Sequence, residues 1–236
     1  MSSKNVEPDV KEEGTISVCA VGDVRVNRED PDSIFTLAKP VISKADIAFC
    51  QLEVLYSERG SHRASIAARA HPRNVSALRN AGYDVVSCAG NHCLDWGNEA
   101  LLDTIEALKE SGMQVIGVGK DIAEARKPAI FELKGTRVGF LAYNSILSHG
   151  YWADVDKPGC APIRVSTLYE PIEHGQPGTP CRILTYANSR DLEAMKKDIS
   201  NLKAQTDVVI VSLHGGAALC SCSTTHVPEG GRVRCC

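Results

Sequence analysis

The chain has 236 residues, with 26 Lys and Arg against 29 Asp and Glu, a net charge of −3 and a hydrophobic share of 43%. This length fits one substantial core and excludes two generous domains. The near-neutral balance, without a Lys/Arg block, excludes an electrostatic footprint for nucleic acid or an anionic membrane. The apolar runs, such as Val208-Val209-Ile210-Val211, are strand-sized and too short for a transmembrane helix.

Residues 1–14 hold no apolar signal core and are expected to form a disordered leader, which makes the cytoplasm the default location. Thr15 to Val21 reads as a buried strand stopped by Gly22. A helical stretch from about Ser33 to Lys44 carries Ile34, Leu37 and Ile42, with Pro40 dividing it. Asp46 to Cys50 is a second strand, and the mixed, basic-leaning residues 54–70 are expected to be an exposed loop. Pro72 to Gly82 fits a short helix with Val75 and Leu78 inward and Gly82 as its stop. Asp84 to Cys88 is a third strand. The clearest helix runs from Gly97 to Ser111, with Leu101, Leu102, Ile105 and Leu108 on one face and Glu99, Asp103, Glu106, Lys109 and Glu110 facing away. Asn98 is its expected N-cap and Gly112 its expected C-terminal cap.

Met113 to Val118 returns as strand, and Ala129 to Leu133 with Arg137 to Tyr143 flank Lys134-Gly135-Thr136 as a hairpin. Residues 144–188 hold Pro158, Pro162, Pro171, Pro177 and Pro180, and are expected to be a long irregular binding loop or lid. A helix from about Arg190 to Gln205 precedes the strand Val208 to Leu213. Strands alternating with helices indicate an α/β domain with a largely parallel sheet plus one antiparallel hairpin. Cys19, Cys50 and Cys88 sit in apolar runs as small buried hydrophobes, so no disulfide framework is expected. His62, His71, His149 and His174 read as solvated loop residues.

The functional signal lies in the polar residues at the ends of these strands: Gly22-Asp23, Gln51-Leu52-Glu53, Gly90-Asn91-His92 and His214-Gly215-Gly216. Each residue alone has an ordinary reading as a turn, a cap or a surface charge. Ligands of α/β sheets bind where loops leave the carboxyl ends of strands, so neighbouring strands would gather Asp23, Glu53, Asn91 and His214 in one crevice. Two carboxylates sharing a crevice repel, and a divalent cation offsets that repulsion. Carboxylate oxygen, amide oxygen and imidazole nitrogen suit Mn, Fe, Zn or Mg, an ion able to polarise a phosphoryl oxygen and generate hydroxide near neutral pH. His92 is placed to donate a proton to a leaving group, with Asp95 holding its imidazole. Tyr143-Asn144-Ser145 leaves another strand end, either lining the pocket or bonding within a turn. Tyr151 and Trp152 either pack the long loop onto the core or wall the substrate.

Gly22-Asp23-Val24, Gln51-Leu52-Glu53, Ala81-Gly82-Tyr83-Asp84-Val85-Val86-Ser87, Gly90-Asn91-His92-Cys93-Leu94-Asp95-Trp96-Gly97, Ala125-Arg126-Lys127-Pro128 and Val211-Ser212-Leu213-His214-Gly215 occur in this order. Together they resemble the CapA family of capsule and poly-γ-glutamate synthesis proteins, over about residues 15–216. That family is similar to calcineurin-like metallophosphatases. The resemblance therefore implies an α/β fold built as a two-sheet sandwich flanked by helices, with a centre for two metal ions. It implies metal-ligand roles for Asp23, Glu53, Asn91 and His214, proton donation by His92, and a role in making or exporting an anionic polymer at the cell envelope. The substrate class on this reading is an anionic polymer or a phosphoester. The alternatives are a catalytically silent α/β module that binds a polyanion or partner protein through residues 144–188, and an amidohydrolase acting on γ-glutamyl linkages.

Three features depart from the family pattern. Gln51 stands where Asn usually precedes Leu-Glu, Gly215 stands where Trp follows the His, and no Gly-His-x-His-like motif comes after His214. Residues 217–236 shift to Cys, Ser, Gly and Arg, and are expected to be an out-of-frame or mis-spliced replacement of the family's C-terminal part. A zinc-binding tail using Cys220, Cys222, His226, Cys235 and Cys236 is the competing reading. On the first reading the sandwich is incomplete on its C-terminal side, metal binding is weak or single-metal, and exposed apolar faces favour oligomerisation.

Overall fold

Strand-forming runs of Val, Ile and Phe alternate with amphipathic helices along the residues described by the computed structural model, 15–64, 68–176 and 178–216. The elements run β1 (Val18–Val24), α1 (Lys39–Ile42), β2 (Ile47–Leu52), β3 (Leu55–Tyr56), β4 (Arg69–Ala70), α2 (Val75–Ala81), β5 (Val85–Ser87), α3 (Gly97–Glu110) and β6 (Gln114–Ile116). They continue as β7 (Val118–Gly119), α4 (Ile122–Ala125), β8 (Ala129–Leu133), β9 (Thr136–Asn144), β10 (Gly159–Cys160), β11 (Val165–Pro171), β12 (Cys181–Ala187), α5 (Ser189–Lys203) and β13 (Val208–His214).

The architecture is mixed α/β, but the expected parallel sheet is divided in two. One sheet is parallel throughout, in the order β1-β2-β5-β6. The other has the order β13-β9-β8, with β9 parallel to β13 and antiparallel to β8. Every residue of β2 is buried, as befits an inner parallel strand covered on both faces. The two sheets share one core, in which the Phe49 ring of β2 stacks on Phe140 of β9 at 6.3 Å between centroids. Phe131 of β8 meets Phe140 edge-on at 5.8 Å.

Of the expected inner face of α3, Leu101, Ile105 and Leu108 are buried, while Leu102 is 36% exposed. Successive residues on a helix turn by about 100°, so Leu102 cannot share the stripe of Leu101. Asn98 lies inside the first turn of α3, the N-cap position falling to Trp96. Helix α5 starts where the Asn188 side chain accepts the N–H groups of Arg190 and Asp191, and it buries Leu202 in a smaller cluster with Leu141 and Tyr143 of β9.

Three further expectations are corrected. Gly22 does not stop the first strand: Val21 pairs with Cys50 and Asp23 with Gln51, so Gly22 is the extra residue of a bulge and the strand runs on to Val24. Residues 54–70 are not a wholly exposed loop, since Val54, Leu55, Tyr56 and Ser57 are buried and β3 pairs with β4. Segment 144–188 contains the antiparallel ribbon β11–β12, whose side chains are exposed apart from a half-buried Leu184. Apolar and polar residues occupy both faces of that ribbon, so the sequence shows no clean alternation to betray a strand. The leader at 1–14 and the tail at 217–236 lie outside the described residues.

Strands β1 and β13 are edges of their sheets and carry exposed apolar side chains, Val18 on the first and Val208, Val211 and Leu213 on the second. Among the described residues, no helix is long and apolar enough to cross a membrane. The reassignment on α3 is checked by two adjacent truncations. Leu101→Ala, at a fully buried site, is expected to cost about 2–5 kcal/mol of stability by urea denaturation. Leu102→Ala is expected to stay within about 1 kcal/mol of the parent; equal losses would contradict the described face.

Candidate metal centre

Each candidate ligand stands at or just beyond a strand's carboxyl end. Asp23 follows the bulge of β1, Glu53 follows β2, Asn91 lies in the turn after β5, and His214 ends β13. The first three strands are neighbours in the parallel sheet, and β13 brings its residue from the second sheet. Ser145 pins that end of β13, its N–H donating to the His214 carbonyl at 2.9 Å.

The four residues meet. One ligand atom from each of Asp23, Glu53 and His214 lies within 4.8 Å of the others. His214 Nδ1 is 3.8 Å from Asp23 Oδ1, while its Nε2 is 3.5 Å from Glu53 Oε1 and 3.0 Å from Asn91 Oδ1. The Glu53 and His214 side chains are 8% and 15% exposed and that of Asp23 is 60% exposed, so the cluster opens to solvent on the Asp23 side.

The surroundings of Glu53 are built around its carboxylate. The Gln51 amide donates to Glu53 Oε1 at 3.3 Å and to the Leu52 carbonyl at 3.2 Å, and its oxygen accepts the Ser87 hydroxyl at 2.7 Å. Gln51 thus spans from Ser87 of β5 to the carboxylate. A Cβ at Gly90 would stand 2.4 Å from Glu53 Oε1, so only glycine leaves the acid its place. Burial pushes the Glu53 carboxyl above the usual carboxylate range, and the Asp23 charge adds to this, while His214, His92 and the Gln51 hydrogen bond oppose it. A buried acid facing a second acid, an imidazole and an amide oxygen is a donor set that fits a divalent cation.

His92 and Asp95 form a second unit on the same turn. Asp95 Oδ2 lies 2.6 Å from His92 Nδ1, which fixes the ring so that Nε2 remains available. The other Asp95 oxygen accepts the Tyr151 hydroxyl at 3.1 Å, and Asp95 is 1% exposed. Tyr151, itself buried, thus packs the following segment onto this turn. Trp152 lines a cavity of about 140 Å³ with Tyr143, Arg164 and Asp191, to which none of the four clustered residues contributes. Tyr143 donates to Asp198 at 2.9 Å, and the buried Asn144 donates to the Ala89 carbonyl at 2.8 Å, holding β9 against the start of the turn. The sequence does not announce the Gln51–Ser87 bridge or the Tyr151 bond to Asp95; the polar Gln51 and Ser87 inside apolar strands are the available signal for the first.

Comparison with known proteins identifies the family. The profile of the family described as Bacterial capsule synthesis protein PGA_cap matches residues 5–225. The chain belongs to the PGA_cap family. It is 25% identical over 175 residues to the capsule biosynthesis protein CapA of Bacillus anthracis, covering 69% of this chain and 43% of that protein. To the PGA biosynthesis protein CapA of Bacillus subtilis (strain 168) it is 21% identical over 229 residues, covering 91% of this chain and 53% of the relative. A probable polyglutamine synthesis accessory protein of Mycobacterium tuberculosis (strain CDC 1551 / Oshkosh) is 35% identical over 125 residues, covering 50% of this chain and 33% of the relative. This PGA_cap chain thus spans between a third and about half the length of these relatives.

The Glu53 environment has a consequence for stability. An acid whose folded pKa is raised contributes most below its unfolded value and loses that contribution as pH rises through the folded value. Above pH 4.5, the ordinary value for this group, Glu53→Gln is therefore expected to raise the melting temperature of the metal-free protein, with the gain growing toward neutral pH and vanishing below about pH 4. Thermal scans from pH 4 to 8 test this; an unchanged or lowered melting temperature at pH 7 contradicts the described burial.

Proposed function

We propose that this chain carries the metal-binding part of a CapA-type factor for capsule or poly-glutamate synthesis, on a sandwich of the metallophosphatase type. The observation that carries the reading is the convergence of Asp23, Glu53 and His214 donor atoms within 4.8 Å. Asn91, bonded to His214 at 3.0 Å, completes the donor set. Asp23, Glu53, Asn91 and His214 would hold a divalent ion, Mn, Fe, Zn or Mg. Such an ion supplies Lewis-acid polarisation of a phosphoester or acyl oxygen.

The remaining roles fall to the chain's own groups. His92 carries a proton on the turn beside Asn91, with Asp95 fixing its tautomer so that Nε2 is the atom that gives or takes it. Gln51 orients Glu53, and Gly90 gives it room. The exposed side at Asp23 is the way in for an anionic polymer or a phosphoester. The names of the relatives, capsule biosynthesis and PGA biosynthesis proteins, favour the polymer.

Calorimetric titration with MnCl₂ or ZnCl₂, joined to elemental analysis of the purified protein, tests the centre. The parent is expected to bind metal, and Asp23→Ala and His214→Ala to weaken it by at least about 10-fold, the loss typical even for residues that merely support a ligand. Equal affinity in all three proteins removes the centre. His92→Gln is expected to keep metal affinity and abolish turnover of a generic phosphoester, which separates the enzyme from a silent binding module.

A further inference from the structure

Arg63, and Arg69 at the start of β4, stand against the turn that carries His92, without a carboxylate partner among the described residues. Arg63 donates its backbone N–H to the Asp95 carbonyl at 2.8 Å. Its guanidinium lies against Gly97, where a Cβ would stand 3.2 Å from both Nε and Nη2. Arg69 places its guanidinium carbon 3.9 Å from the centre of the Trp96 ring, and the His62 ring meets the same indole edge-on at 5.3 Å. Arg25, two residues beyond Asp23, donates from Nε to the Glu53 carbonyl at 3.3 Å.

Many arginines elsewhere are neutralised: Arg59, Arg79, Arg126, Arg137, Arg164 and Arg182 each have a carboxylate in ion-pair reach. Among the described residues, none lies in such reach of Arg25, Arg63 or Arg69. Two of these cations also stand at the start of α3, whose N-cap Trp96 offers no side-chain acceptor and whose first amides present a positive pole. Glu99 is the acidic residue of that first turn and lies outside ion-pair reach of both arginines, so an oxyanion would supply the charge-assisted bonds that Arg63 and Arg69 lack.

We infer that Arg63 and Arg69, with Arg25 at the edge of the centre, form a rim that binds the carboxylates of an acidic polymer. Their two guanidiniums are fixed on separate supports, Gly97 and the Trp96 ring, which suits repeated carboxylates on one chain better than a single phosphate. The rim shares its turn with Asn91 and His92, so a polymer held there lies alongside the clustered donors. Its identity as a polyglutamate-type chain rests on the function proposed above, whereas the presence of a carboxylate-binding rim does not.

The test uses fluorescently labelled poly-L-glutamate and the full chain, without added metal, followed by anisotropy at low and high salt. The parent is expected to bind, more weakly at high salt. Arg63→Gln and Arg69→Gln are each expected to weaken binding by about 10-fold, as for loss of one charge-assisted contact, while Arg190→Gln, an equal charge change at an exposed site on α5, leaves it unchanged. Arg63→Lys and Arg69→Lys keep the charge without the planar fork; they are expected to fall between, and they decide the matter if a Gln variant does not fold. Parent-like affinity in the variants, or a loss no greater than in Arg190→Gln, overturns the rim. Inorganic phosphate competing as well as poly-L-glutamate at equal charge overturns the assignment to a polymer. Metal titration of the same variants is expected to match the parent, so failure of the centre and failure of the rim are read separately.

Discussion

A carboxylate removed from water is costly unless a positive charge or a full set of donors meets it. Glu53 is placed in that position, and much of the neighbourhood is arranged to keep it there. Gln51 and Ser87 reach across two strands to hold one oxygen, Gly90 withholds a side chain, and the bulge at Gly22 sets Asp23 where it faces His214 instead of following the plain alternation of β1. No lysine or arginine side chain is ion-paired with this acid among the described residues. His214, His92 and the Gln51 amide are the groups that oppose the effect of its burial, and a divalent ion is the species proposed to complete the set.

That completion depends on two sheets at once. Asp23 and His214 belong to edge strands of different sheets, while Glu53 and Asn91 follow inner strands of the first. Their spacing is therefore set by how the sheets face each other through Phe49, Phe140 and Phe131, not by the register of either sheet alone. The Asn144 bond to the Ala89 carbonyl and the His214 contact with Asn91 fasten the second sheet to the first at the level of the cluster, while the Ser145 bond to His214 ties β9 to β13 within the second. The same edges expose Val18, Val208, Val211 and Leu213, so the strands that bear Asp23 and His214 also present apolar surface of the kind that partners cover.

The strand-end residues were legible because their message is local: a buried apolar run that stops on Asp, Glu, Asn or His advertises a crevice wherever its neighbours lie. Long helices were legible for the same reason, since the stripe of Leu101, Ile105 and Leu108 repeats within one element. What the sequence hid is pairwise and distant. Nothing near Tyr151 points to Asp95, 56 residues away, nor does Gln51 announce Ser87, 36 residues on. The division into two sheets is not written in the strands themselves, because parallel strands of either sheet carry the same apolar signature; only the family resemblance pointed to it. The ribbon β11–β12 escaped for the opposite reason: with apolar groups on both faces, it has no inside and outside to read.

Asp95 shows how these separate parts act as one. Its carboxylate joins His92 to Tyr151, and its carbonyl takes the N–H of Arg63, so the turn of His92, the segment after β9 and Arg63 are tied through a single buried residue. None of these bonds involves the Asp23–Glu53–His214 cluster. The orientation of His92 is therefore set without the cluster, whereas Asp23 stays open to solvent. If the rim takes an anion and the cluster a cation, as proposed, either could arrive first, because the fixed turn between them needs neither to hold its shape.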